Sequence, residues 1–193
     1  LLESDVPRLR SAARTFWIKI RPEDAAQLLA EALASGDVAE QQAALRDLGR
    51  LDGEASEQLL STWLDRLAAG RVRPEITLDL IEAAETHGGE SLQSKLERLT
   101  AARPTDDPVA MYRDCLVGGD PLAGREVFNQ STASCRRCHR LGGEGTAVGP
   151  DLSKIGAEKS REYLLESLVD PNRKIAEGFE TTVILTDEGT TYV

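Results

Sequence analysis

The sequence predicts a mainly α-helical protein in two parts, a helical N-terminal region and a C-terminal domain with a small β-hairpin. Three observations support this fold class. Apolar residues are mostly Leu and Ala, with only 4% aromatics among 193 residues, and such side chains lose little rotamer freedom in a helix. Apolar residues recur at i, i+3 and i+4 through roughly the first hundred positions. From Asp120 onwards glycines cluster and short motifs replace this periodicity.

Between Val6 and Ala102 the breakers predict five amphipathic helices. Pro suits the first turn of a helix, Asp caps it and Gly favours its end. The first four helices are predicted to begin near Pro22, Asp37, Ala55 and Pro74, and the fifth to end before Pro104. Their apolar stripes are Leu28, Leu29 and Leu33; Ala44, Leu45 and Leu48; Leu59, Leu60, Trp63, Leu64 and Leu67; Ile76, Leu80, Ile81 and Ala84; and Leu92, Leu96 and Leu99.

The second and fourth helices align when they are shifted by about 36 residues. Ala44 then falls on Leu80, and Gly53 falls on Gly89. A period of this length resembles paired-helix repeats of the HEAT type. A plain helical bundle is the alternative, so the region 1–104 is predicted to be either repeat-like or a bundle.

The stretch from Ala101 to Pro108 is predicted to be a linker, because it holds two prolines and two adjacent aspartates. The second domain is accordingly predicted over 105–193. It should begin with a short helix that carries Met111 and Cys115 on one side, with Cys115 as a small buried residue. Further helices are predicted over Asp120 to Asn129 and Ser160 to Val169. A β-hairpin is predicted over Phe179 to Thr186 and the residues after Gly189.

The bulk charge and hydropathy exclude two classes of function. A formal net charge of −10 argues against nucleic-acid binding, which needs a surplus of Lys and Arg. No apolar run approaches the ~18 residues that a membrane span requires. Since the chain starts with Leu1 and ends in a strand-like segment, we expect a fragment of a longer protein, and a missing signal peptide is uninformative.

Residues Cys135-Arg136-Arg137-Cys138-His139 form a C-x-x-C-H sequence, the attachment signal of c-type haem. Two intervening residues let one turn of chain bring each thiol to a haem vinyl group. The adjacent imidazole can then bind the iron. Two other chemistries use similar residues. Zinc needs four ligands, and beyond the motif only the distant Cys115 or His87 is on offer. A thioredoxin-like dithiol needs a preceding strand, which Phe128 to Ser134 does not resemble.

The residues that flank the motif resemble those of mono-haem cytochromes c. A helix with Gly124 and Phe128 precedes it, and a Gly149-Pro150-Asp151-Leu152 loop follows it. The resemblance implies that the Pro150 carbonyl accepts a hydrogen bond from His139 and that Leu152 packs on the haem. Phe128 is implied as a further part of the haem site. The chemical reason is general, since a ligating imidazole needs its second nitrogen tethered.

A narrower resemblance extends over about 117–193. Gly149 to Gly156, Ser160 to Asn172 and Ile175 to Thr182 are similar to the planctomycete-type haem-binding domain. In that family the domain follows a dehydrogenase-like propeller and helical repeats in long secreted proteins. The resemblance implies one haem c, single-electron transfer from a dehydrogenase domain of the same polypeptide or a partner, and a periplasmic or otherwise extracytoplasmic location. It implies an electron carrier rather than an enzyme.

The second axial ligand departs from the family pattern. Mono-haem cytochromes usually supply a Met downstream of the motif, whereas the single Met here, Met111, lies upstream. We expect the family's Met to lie beyond Val193. Within the chain the sixth ligand is unknown, with Met111 and His87 as candidates and Lys154, Lys159 or Tyr163 as minor ones.

Two other functions stay open on the sequence alone. An open iron site would make the chain a peroxidase-like enzyme or a gas sensor. A purely structural helical scaffold would leave the haem motif idle. Arg136, Arg137 and Arg140 form a local positive patch that is either solvated, paired with haem propionates or used to steer an acidic partner.

Overall fold

The computed structural model describes residues 1–101, 103–130 and 132–192, and burial is described for these except Pro108. Val193, where the predicted haem domain ends, lies outside them, as does Ala102 at the end of the helical region. The chain divides into two compact units. Unit 1 comprises Leu1–Thr105 and Arg113–Gly119, and unit 2 comprises Asp106–Tyr112 and the chain from Asp120 on. Residues 106–112 therefore belong to unit 2 and residues 113–119 to unit 1. The predicted single boundary between residues 104 and 105 stays a prediction.

Unit 1 contains six α-helices among its described residues. Their bounds are α1 Pro7–Ile20, α2 Ala25–Ser35, α3 Val38–Leu48, α4 Glu54–Ala68, α5 Thr77–His87 and α6 Glu90–Ala101. Short 3₁₀ turns at Pro22–Asp24 and Pro74–Ile76 lead into α2 and α5. The five predicted helices are confirmed as α2 to α6, whereas α1 was not among them.

Local capping explains why α3 begins where it does. The Asp37 side chain accepts a hydrogen bond from the Glu40 N–H, and the Glu40 side chain accepts one from the Asp37 N–H. This reciprocal pair satisfies donors that the first turn leaves unpaired. Arg10 and Arg14 of α1 reach the same carboxylate at 2.6 and 2.7 Å. Glu40 therefore both caps α3 and anchors α1 to it.

The helices of unit 1 pack in two alternating rows. In one row α1 contacts α3 and α3 contacts α5; in the other α2 contacts α4 and α4 contacts α6. Positions 36 apart share the core, because the following pairs are buried at both members: Glu40 and Ile76, Gln41 and Thr77, Ala44 and Leu80, Leu48 and Ala84, Ser56 and Leu92, and Leu60 and Leu96. Six buried positions in α3 and α4 are therefore followed, 36 residues later, by buried positions.

Unit 2 is built from shorter elements. Its helices are α7 Pro108–Met111, α8 Pro121–Asn129, α9 Ile155–Glu158 and α10 Arg161–Val169. Asp120 and Ser160 cap α8 and α10 by accepting hydrogen bonds from N–H groups of the first turn. Strands β1 Arg140–Leu141 and β2 Glu144–Gly145 form one antiparallel pair, and β3 Ile184–Leu185 and β4 Thr191–Tyr192 form another. The second pair is the predicted hairpin, though shorter; β1, β2 and α9 were not predicted.

The segment with Met111 and Cys115 corrects two predictions. A single helix does not carry both residues, because α7 ends at Met111 and a separate 3₁₀ turn spans Arg113–Leu116. The two residues also belong to different units. Cys115 is exposed rather than buried, and the buried residue of its turn is Leu116. Four residues of spacing put two side chains on one face only where the helix continues between them.

Candidate haem-binding site

The C-x-x-C-H motif folds as one tight turn. Cys135–Arg137 is a 3₁₀ turn, preceded by Ser134 in the left-handed region at φ 57°. The N–H groups of Cys138 and His139 donate to the Cys135 carbonyl at 3.2 and 2.9 Å. Residues three apart on such a turn are neighbours on one side. The turn therefore brings Cys135 and Cys138 to one side of the chain.

Neither cysteine of the motif is in a disulfide; Cys138 is exposed and Cys135 is half-buried. The Cys135 thiol lies 3.7 Å from the Ala133 carbonyl, within reach of a weak hydrogen bond.

His139 is held in one tautomer. Its Nδ1 lies 2.8 Å from the Pro150 carbonyl oxygen. Because a carbonyl can only accept, this contact places the proton on Nδ1 and leaves the lone pair on Nε2. A second nitrogen tethered in this way is the usual arrangement of a metal-binding imidazole. This hydrogen bond is the one that the resemblance to mono-haem cytochromes c implies. The role of His139 as an iron ligand stays a prediction.

The loop that supplies Pro150 is fastened to the motif by backbone and side-chain hydrogen bonds. The Gly149 N–H donates to the Cys138 carbonyl at 2.6 Å, and the Leu152 N–H donates to the Arg140 carbonyl at 2.8 Å. The Thr146 hydroxyl donates to the Arg137 carbonyl. These hydrogen bonds lie on both sides of the hydrogen bond between His139 and Pro150. The orientation of the imidazole therefore depends on the whole loop.

Two glycines leave room for this arrangement. A Cβ at Gly149 would lie 2.9 Å from His139 Cε1 and 3.1 Å from Nδ1, closer than ordinary contact. Gly145 has φ +101°, and a Cβ there would strike the His139 carbonyl oxygen. Sequence reasoning missed Gly145 and Thr146 as parts of the site. The available signal was the run of glycines between the motif and Pro150.

Leu152 and Phe128, the two predicted packing residues, lie in different surroundings. Leu152 is half-buried and follows the Pro150 turn. Phe128 is half-buried on α8 and lines a groove of about 460 Å³ with Gly124, Arg136 and Leu141. Neither motif cysteine nor His139 lines this groove. Phe128 therefore lies near the motif, because Arg136 of the motif lines the same groove.

The candidates for a sixth ligand have packing roles of their own. His87 ends α5 in unit 1, with its Nε2 3.2 Å from Ser56 Oγ. Met111 is half-buried in unit 2, where α7 packs on α10. The Lys159 ammonium lies 4.9 Å from the Tyr163 ring centroid, a cation–π contact. Among the residues the structure describes, no group of three or more His, Cys, Asp or Glu side chains is placed to hold a metal ion.

Unit 2 buries few apolar side chains. Among its residues with described burial, Leu165 is the one large apolar side chain in the buried class. Many others are more than half exposed: Leu122, Val127, Val148, Leu168, Val183, Ile184, Leu185 and Tyr192. Burial of apolar area drives folding, and a domain of this size gains little from its own side chains.

A two-cysteine turn followed by an imidazole tethered through Nδ1 is the arrangement that a cytochrome c-like haem-binding domain uses. Residues 122–188 match the family model for cytochrome c. The match covers about a third of the chain and says nothing of unit 1. No curated protein and no solved structure matches the chain.

The cytochrome c domain implies a covalently bound haem c and a role in haem-based electron transfer. Within the described residues, none of the helices has the length and apolar character needed to cross a bilayer.

Proposed function

We propose that this chain carries single electrons through one haem c, which Cys135 and Cys138 bind through thioether bonds and His139 ligates. The observation that most directly supports this proposal is the 2.8 Å contact between His139 Nδ1 and the Pro150 oxygen. It lies in the loop that is hydrogen-bonded to the turn with both cysteines. A single C-x-x-C-H sequence supports one haem. The haem would supply the one-electron cycle between ferrous and ferric iron.

The chain's own residues would set the redox potential through the imidazole. Nδ1–H donation to the Pro150 carbonyl makes Nε2 a stronger electron donor. A stronger donor favours ferric over ferrous iron and lowers the potential. Gly149 permits the close approach, and the Thr146 and Leu152 hydrogen bonds hold the loop. Leu152 and Phe128 would add apolar surface beside the cofactor.

The partner and setting follow from the sequence resemblance. We propose that a dehydrogenase domain, in the same polypeptide or a separate protein, donates the electrons. We assign the haem domain to the planctomycete type and place it in the periplasm or another extracytoplasmic compartment. The two alternating helix rows and the buried positions 36 residues apart support a HEAT-like repeat over about 1–104.

Haem attachment tests the proposal directly. The chain is expressed with a cytochrome c maturation system, and a denaturing gel is stained for haem. We expect covalent haem in the native chain and its loss in Cys135→Ala/Cys138→Ala. The purified protein should titrate with a one-electron Nernst slope. Retained stain in the double variant, or no reversible redox change in the native protein, would contradict the proposal.

A further inference from the structure

Helix α1 carries its large apolar residues on a side that faces solvent. Leu9, Ala13, Phe16 and Ile20 recur at i, i+4, i+7 and i+11, a spacing that places them on one face of the helix. Leu9, Phe16 and Ile20 are 47%, 65% and 58% exposed. None of the residues of α1, all of which the structure describes, is buried. These four residues are called the open face of α1 below.

Another side of α1 packs on α3, largely through charged and polar groups. Arg10 and Arg14 pair with Glu40 at 2.6 and 2.7 Å, and the Thr15 hydroxyl donates a hydrogen bond to the Asp47 carboxylate at 2.7 Å. The usual arrangement of a surface helix is the reverse, with its apolar stripe toward the core. Polar contacts therefore hold α1 to α3, and the open face stays in contact with water.

The helices at the other end of the two rows have polar outer surfaces. The exposed residues of α5 are Glu82, Glu85 and Thr86, and those of α6 are polar as well apart from Ala101. Stacked helix rows need a polar outer face where they end. The end formed by α5 and α6 meets that need, whereas the open face of α1 does not. An exposed apolar surface rimmed by polar residues indicates an interaction site.

The open face matches itself when a second copy lies antiparallel to it. Ala12 and Ala13 lie midway between Leu9 and Phe16 in the helix. A two-fold axis at this midpoint sets Leu9 of one copy opposite Phe16 of the second copy, and the reverse, as an isologous interface requires. The small side chains at the axis let the two helices approach closely.

The charges at the two ends of α1 are complementary in the same arrangement. Asp5 stands just before the helix and Lys19 in its last turn, and both are exposed. Antiparallel pairing about Ala12 and Ala13 brings Asp5 of each copy beside Lys19 of the other. The macrodipoles of the two helices then also run in opposite directions, which favours the pairing.

The size of the open face fits a small homodimer. With Val6 and Trp17 at its edges, it leaves roughly 500 Å² of apolar side chain open to water on each copy. A stable interface covers about 800 Å² on each partner, and about 65% of a homodimer interface is apolar. An interface centred on α1 and completed by its flanking charges therefore has the extent and the composition of a homodimer contact.

We propose that the open face of α1 is a dimer interface, in which two copies of this chain pack antiparallel about Ala12 and Ala13. The dimer buries Leu9, Phe16 and Ile20 of both copies and removes the apolar end of the helix rows. The inference concerns unit 1 alone, so it stands or falls independently of the proposed electron transfer.

Sedimentation velocity and light scattering on the full chain with haem attached test the interface. The buffer contains ~0.15 M salt, so that the net charge of −10 is screened beyond ~8 Å. We expect a monomer–dimer equilibrium with a Kd in the micromolar range. Phe16→Glu should raise that Kd at least ~30-fold, because it places two charges in the centre of the interface. Leu168→Glu is the matched control, an equal change at an exposed apolar residue of α10, and should leave the Kd unchanged.

A charge exchange tests the antiparallel pairing itself. Lys19→Asp should raise the Kd roughly tenfold, since it creates two pairs of like charge across the two-fold axis. Asp5→Lys combined with Lys19→Asp should return the Kd to within roughly threefold of the native value, because each pair regains opposite charges. Circular dichroism checks that every variant folds.

A chain that stays monomeric at ~100 µM would overturn the inference. If that monomer sediments with anionic phospholipid vesicles and Phe16→Glu abolishes the binding, the open face belongs to a lipid surface instead. A dimer that Phe16→Glu leaves intact, or that Leu168→Glu weakens as much, would place the interface elsewhere and overturn the inference too. Failure of the double exchange to restore the affinity lost in Lys19→Asp would refute the antiparallel pairing.

Discussion

Gly149→Ala is the substitution that tests most sharply how the chain orients the His139 imidazole, the proposed axial ligand. The added Cβ would lie 2.9 Å from His139 Cε1, 3.1 Å from Nδ1 and 3.3 Å from the Cys138 carbonyl. Ordinary contact begins near 3.4 Å, so the ring or the loop must move by about 0.5 Å. A movement of that size stretches the 2.8 Å bond to Pro150 to the limit of hydrogen bonding.

The energetic consequence can be estimated from that bond. A hydrogen bond contributes about 1 kcal/mol net, and overpacking adds about 1–3 kcal/mol of destabilisation. A weaker Nδ1–H bond makes Nε2 a poorer donor and disfavours ferric iron. If about 1 kcal/mol of that preference is lost, the potential rises by about 40 mV, since 59 mV corresponds to tenfold in a one-electron couple.

The assay is spectroelectrochemical titration of the matured protein, with haem yield measured in parallel. Gly156→Ala is the matched control, because a Cβ at Gly156 meets nothing within 4 Å. Pro150→Ala is a second control that keeps the carbonyl acceptor and should keep most of the potential. The reasoning is refuted if Gly149→Ala matures with the same yield and the same potential as Gly156→Ala.

Three further changes have defined outcomes. Glu40→Gln should cost about 3 kcal/mol at pH 7, because Arg10 and Arg14 hold the pKa of the buried Glu40 carboxyl at about 2 instead of 4.5. Since the folded pKa is the lower one, denaturant unfolding should show this advantage above pH ~5 and lose it as pH falls toward 2; a constant difference over that range contradicts it. Met111→Leu should leave the haem spectrum and carbon monoxide binding unchanged, because α7, which ends at Met111, packs against α10; loss of a low-spin spectrum would make Met111 the sixth ligand. Cys115→Ser should keep full haem stain, and any loss would implicate that thiol in attachment.

Local sequence patterns were sufficient for most elements of the fold. Asp37, Asp120 and Ser160 each begin a helix at the position where the sequence places a cap, because capping depends on residues within one turn. The Cys135–Cys138 turn is equally local. The β1–β2 pair was not predicted, because a strand of two residues shows almost no alternation of apolar and polar residues.

The sequence by itself determined the helical class, the haem motif and, through a resemblance, the link between His139 and Pro150. Only the tertiary structure decided that Gly145 and Thr146 support the motif and that Cys115 is exposed. It also decided that Met111 and Cys115 belong to different units. Each of these depends on contacts between residues distant in the chain or on where a helix stops. Periodicity and spacing carry no information about such contacts, because they describe one element at a time.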